Sequence, residues 1–258
     1  MARNVAKGAA RAAMSVSPTL RRALANELVR RDPQAVLEAL GPRLNREPRL
    51  GSMPLDLDPR ERLEFEDLAG LFASSSLNHG IAGMTIRQLA YVFGLARRSG
   101  AKRAIEIGRW RGGSTVALAA GMGRSGKVWS IDLRDKESRV LELEPGTLDA
   151  ETRQFCERFG LDVELLVGDS RTIEVDTGEV DLVLIDGDHT YDGVRSDFDR
   201  FGRRVRVDGA VLLDDAFEGQ FMPSHPESVG RVVRDVTADG EFVLERAVDR
   251  LAHLRRVR

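Results

Sequence analysis

Residues 104–115 read Ala104-Ile-Glu-Ile-Gly-Arg-Trp-Arg-Gly-Gly-Ser-Thr115. A short, largely aliphatic run ends in a glycine-rich turn, and a helix start follows at Ser114. Strand, glycine turn and helix in that order form the opening of a βαβ unit. Gly108 and Gly112 lack side chains that would block a ligand lying across the turn. The hydroxyl of Ser114 and the free N–H groups of the helix start can hold a carboxylate or a phosphate.

Downstream, the same alternation repeats. Apolar runs at 128–131, 163–167, 180–185 and 210–213 are each closed by polar or glycine-rich residues, with helical patterns between them. Such runs suit strands covered on both faces by helices, which predicts a doubly wound, mostly parallel α/β sheet. Near the carboxyl end a helix over 227–236 precedes Phe242-Val-Leu-Glu-Arg and Leu251-Ala-His-Leu-Arg, which pair as a closing hairpin and bring the strands to seven. Upstream, Thr85 caps a helix whose apolar positions Ile86, Leu89, Ala90, Phe93 and Ala96 recur at helical spacing until Gly100 ends it. Residues 1–75 read as short helices broken at Ser17-Pro18, at Gly41-Pro42 and over 51–59, a helical appendage to a catalytic domain at 76–258.

The 258 residues carry a net charge of -2, with 31% charged and 42% hydrophobic residues, an ordinary soluble composition that points to no nucleic-acid partner. Charge is nonetheless uneven. Residues 1–31 hold Arg3, Lys7, Arg11, Arg21, Arg22, Arg30 and Arg31 against Glu27 alone, read as a solvated or oligomer-facing helix. Without an apolar run near ~18 residues, neither a membrane span nor a signal core is expected, and the protein is placed in the cytoplasm. Cys156 is the single cysteine, so an internal disulfide is ruled out and a packing thiol is expected.

In open α/β sheets ligands gather beyond the carboxyl ends of the strands. Those ends carry Asp132, then Gly168-Asp169-Ser170, then Asp186-Gly-Asp-His189, then Asp214-Asp215. Asp132 stands 24 residues after Gly108, where an acid can accept from ribose hydroxyls. Asp186, Asp214 and Asp215 converge if the last two parallel strands are neighbours, and three close carboxylates invite a hard divalent cation, Mg²⁺ or Mn²⁺. His189 beside them is the expected general base. His79, His225 and His253 lack such company and are read as structural or solvent-facing.

Over residues 75–258 the chain resembles the class I S-adenosylmethionine-dependent methyltransferases. Glu106-Ile-Gly-x-x-x-Gly-x-Ser114 looks like the family's first motif, Asp132 like its ribose-binding acid, and Gly168-Asp169-Ser170 like its adenine-contacting turn. Leu184-Ile-Asp-Gly-Asp-His-Thr-Tyr-Asp-Gly-Val194 with Leu213-Asp-Asp-Ala-Phe217 is similar to the metal-dependent O-methyltransferase branch, where Asp186, Asp214 and Asp215 match the positions that hold Mg²⁺. The catechol-type enzymes have a lysine base where this chain has His189, a departure shared with the macrocin- and mycinamicin-type sugar O-methyltransferases.

The resemblance implies a Rossmann-like methyltransferase fold. It also implies S-adenosylmethionine bound by Glu106, Gly108, Gly112, Ser114, Asp132, Asp169, Ser170 and Asp186, with a saccharide hydroxyl as acceptor. Amino-terminal helices that assemble a homo-oligomer and cover the site belong to the same implication. Against this stand a phenolic or catechol acceptor, a nicotinamide-dependent oxidoreductase and a nonenzymatic nucleotide-binding module. The glycine spacing is not that of a dinucleotide fingerprint, and the intact Asp186, His189, Asp214 and Asp215 argue against a vestigial site.

Overall fold

The structure is a computed structural model and describes residues 63–65, 67–68, 81–133, 143–218 and 224–258. The basic arm, most of the appendage at 1–75 and His79 lie outside the described residues. Among the described residues the order is α1 (Ile86–Ser99), β1 (Arg103–Ile107), α2 (Gly113–Met122), β2 (Lys127–Asp132), α3 (Thr147–Arg158) and β3 (Asp162–Val167). There follow β4 (Val180–Ile185), α4 (Tyr191–Arg200), β5 (Val205–Leu213), α5 (Val229–Thr237), β6 (Phe242–Val248) and β7 (Leu251–Arg256). Seven strands form one sheet in the order β3-β2-β1-β4-β5-β7-β6. The first five run parallel, and β7 pairs antiparallel with both β5 and β6, so the hairpin closes the sheet as the sequence predicts.

Strand alternation divides the core in two. Leu182, Leu184 and Leu212 face one side with Leu89, Phe93, Leu118 and Phe155 from the helices α1, α2 and α3. Ile105, Ile107, Val183, Ile185, Val211 and Leu213 face the other, with Phe198 and Val232 from α4 and α5. Each face of the sheet is therefore dry, which is why its middle strands read as unbroken aliphatic runs. Helix α2 is buried at every position, and its small residues allow that closeness. A Cβ on Gly121 would meet the Phe93 carbonyl of α1 at 2.5 Å.

Two strands differ from the sequence reading. β5 begins at Val205 rather than 210, because Arg206, Val207 and Asp208 extend it through a register shift opposite Val180 and Leu182. The exposed, polar Asp208 takes a left-handed φ of 62° there, which masks the strand from periodicity. β3 is half open rather than covered on both faces, since it is an edge strand that pairs only with β2, and Val167 is left exposed. Helix α1 is as expected, with Thr85 and Gln88 forming a reciprocal capping box and Gly100 closing it at φ 64°.

Cys156 is buried, and burial pushes its thiol up to about 12, as suits a packing residue. His253 on β7 is structural too. Its Nδ1 lies 2.8 Å from the Tyr91 hydroxyl, and burial holds its pKa down to about 4. An unfolded histidine takes its proton near ~6.5, so below that pH protons favour the unfolded chain. Stability is expected to be flat above about pH 6.5 and to fall by up to roughly 3 kcal/mol towards pH 4 on this account. Urea midpoints at pH 7 and 4.5 check it: His253→Gln should flatten the difference, and an unchanged acid slope would assign the loss to other groups.

Candidate active site

The strand ends form one row. Beyond the regular ladders, Gly168 N–H donates to Asp132 O at 2.9 Å, Gly108 N–H to Ile131 O at 2.9 Å, Asp186 N–H to Ile107 O at 2.8 Å and Asp214 N–H to Ile185 O at 3.1 Å. The residues that leave β1 to β5 are thus held side by side at the carboxyl rim. A cavity of about 770 Å³ opens above them, lined by Gly108, Ser114, Asp132, Asp169, Ser170, Asp186, His189, Asp214 and Asp215 among others. Nine of the expected site residues share that cavity.

Two do not line it. Glu106 points to the opposite side of β1 from Ile105 and Ile107, under α2, where its carboxylate accepts from the hydroxyls of Thr115 and, at 2.6 Å, Ser130. Burial raises its pKa. It ties α2 to the sheet beneath the turn. Gly112 is the cap of α2 at φ 84°, packed against Thr152 of α3, and its part is to let the helix start close to its neighbour.

The turn itself is braced from three sides. Asp132 Oδ2 accepts from the backbone N–H of Arg109 at 3.0 Å and of Trp110 at 3.1 Å, so the acid expected to meet ribose also orders the turn. Arg109 is buried and spans the strand ends, donating to Ser130 O, Leu166 O and both oxygens of Asp149. Trp110 holds a left-handed φ of 48° and lines the cavity. Sequence reading missed both residues because a clamp of this kind is a property of three strand ends together. Asp169 is engaged by Arg171 through two oxygens, and those hydrogen bonds hold its carboxyl down to about 2.

His189 precedes α4, whose cap is Thr190. Its Nε2 lies 3.4 Å from Asp186 Oδ1 and 3.5 Å from Asp215 Oδ2. The hydrogen bond with Asp186 raises its pKa. Asp214 turns away from this group. Its Oδ1 accepts from the Gln88 amide and its Oδ2 lies 3.5 Å from Arg250, whose guanidinium also donates to Asp215 Oδ1. Burial, with the charge of Asp186 next, pushes Asp214 up to about 8 against the pull of Arg250. The three acids are neighbours but do not turn their oxygens to one point, and a guanidinium stands between two of them. As the side chains stand, Asp186, Asp214 and Asp215, the set expected to hold Mg²⁺ or Mn²⁺, are not gathered into one ligand group among the described residues. Arg250 escaped the sequence reading because it sits at the β6–β7 turn, remote from every motif.

His225 is exposed, as its solvent-facing reading expects, but it does not lack company. The chain returns from β5 so that its ring stacks on His189, centroids 4.7 Å apart at 24°.

Comparison with known proteins agrees with this architecture. Residues 105–216 match a family model described as a methyltransferase domain. A curated relative, an uncharacterized protein of Acanthamoeba polyphaga mimivirus, is 32% identical over 59 residues, covering 23% of this chain and 27% of that protein's length. The fold is similar to an O-methyltransferase of Bacillus cereus in complex with SAH (18% identity, 74% of this chain and 90% of that one, TM-score 0.50). It is similar also to the O-methyltransferase TomG of Streptomyces achromogenes in complex with SAM (16%, 70% and 84%, 0.51). A SAH-bound methyltransferase of Podospora anserina gives 19% identity, 69% and 81% coverage and a TM-score of 0.50.

Proposed function

We propose that the chain binds S-adenosylmethionine across the Gly108 turn and transfers its methyl group to a hydroxyl oxygen of a small molecule, with His189 as general base. The observation that carries this reading is the single row of strand ends. It sets Gly108, Ser114, Asp132 and Ser170 around the same cavity as His189, so one bound nucleoside reaches from the β3 end to the base. The methyltransferase-domain match and the neighbours solved with SAM or with SAH, its demethylated product, support the choice of donor.

Transfer is an in-line displacement. The acceptor oxygen attacks the methyl carbon as its proton passes to His189, and the carbon–sulfur pair leaves with the sulfonium sulfur to give a neutral thioether. A saccharide hydroxyl is the acceptor we favour. The cavity that His189 lines also carries Asp186, Asp188, Asp214, Asp215, His225 and Arg250, groups that hydrogen-bond a polyol. A phenolic acceptor is the second reading, favoured by Trp110, Ile81 and Leu133 on the same cavity.

Thermal denaturation tests the donor. S-adenosylhomocysteine at ~100-fold over its dissociation constant should stabilise the chain by about 2.7 kcal/mol, and NAD or NADP should not. A shift with NAD alone would overturn the reading. Methyl transfer from labelled donor to matched panels of deoxysugar glycosides and phenols then separates the two acceptors.

A further inference from the structure

We infer that His189, Asp215 and His225 form a transition-metal site at the acceptor end of the cavity. His189 Nε2 lies 3.5 Å from Asp215 Oδ2, and the two imidazoles are stacked face to face. One ligand atom from each of the three residues lies within 4.8 Å of the others. Tetrahedral zinc at ~2.05 Å from each ligand needs them about 3.3 Å apart, so an ion must draw the three atoms together and tilt the stacked rings until both in-plane lone pairs meet it.

The three residues are also stitched together through the backbone. His225 N–H donates to Asp215 O at 2.9 Å, the Ser228 hydroxyl to His189 O at 2.6 Å, and Ser228 N–H to His225 O at 3.1 Å. Separate chain segments are thus pinned at the point where their side chains converge, which is the preorganisation a metal site requires. Two imidazoles and one carboxylate suit zinc, cobalt or iron better than magnesium. Three protein ligands leave a coordination position towards the cavity.

An ion here uses the lone pair of His189. On the proposed function, where that lone pair takes the acceptor's proton, zinc or cobalt therefore inhibits methyl transfer; the binding itself does not depend on that reading.

Cobalt titration of the full chain tests the site. A visible absorption band that saturates with one ion per chain, yields to zinc and persists in excess magnesium is expected. His225→Ala should weaken cobalt by ~10²-fold. Asp214→Asn should change it little, with far-ultraviolet circular dichroism as the check that each variant is folded; Asp188→Asn, on the same cavity, makes the same comparison where Asp214→Asn does not fold. No band, or a band lost in the aspartate variants and kept in His225→Ala, would overturn the site. Undiminished turnover with cobalt bound would instead remove His189 as base and leave the site in place.

Discussion

Alanine at position 189 is expected to lower kcat by ~10² or more while the affinity for S-adenosylhomocysteine stays within a few-fold of the parent. The donor is expected to rest on the Gly108 turn and the β2 and β3 ends, whereas His189 stands at the β4 end beside Asp186 and Asp215. Removing the imidazole therefore takes away the proton acceptor and little of the donor's surroundings. A saccharide hydroxyl is a poor nucleophile while it keeps its proton, so the loss falls on the chemical step. Single-turnover rates with saturating donor measure that step directly. A rate unchanged by His189→Ala would place the base elsewhere, and a parallel collapse of donor affinity would make His189 a structural residue of the rim.

Much of the fold was legible because each central strand is buried on both faces and so spells itself as an aliphatic run. The rim residues were legible for a related reason. A strand that must stop at a ligand edge stops in glycine or a carboxylate, and Gly108, Asp132, Asp186 and Asp214 all do. What local spelling cannot carry is direction. Glu106 and Asp214 stand at rim positions, yet strand alternation turns Glu106 beneath α2, and Gln88 and Arg250 draw Asp214 aside. Arg250 and His225 reach the site from a hairpin turn and a loop whose own sequence has no periodicity to read. Arg109 shows the same limit, since its value comes from three carbonyl and carboxylate partners on different segments.

Alanine at Gly108 should be the most damaging small substitution at this rim. Gly108 has φ 85°, which costs an L-residue ~1–2 kcal/mol by itself. The added methyl would also overlap the Asp186 carbonyl and come within 2.8 Å of Gly187 Cα. Neither backbone can give way freely. Gly108 N–H is bonded to Ile131 O and Asp186 N–H to Ile107 O, so retreat breaks the contact between the β1 and β4 ends. The expected result is a loss of about 3 kcal/mol or more in urea unfolding, or a folded chain whose S-adenosylhomocysteine affinity is down ~10²-fold. Gly100→Ala is the control. It has φ 64° but nothing within 4 Å of the new methyl, so it should cost only about 1 kcal/mol and leave donor affinity alone. Equal effects at the two positions would mean that backbone strain, and not the close approach of β1 to β4, governs the turn. The donor cradle would then lose its physical basis, because that approach is what brings the Gly108 turn and His189 to one cavity.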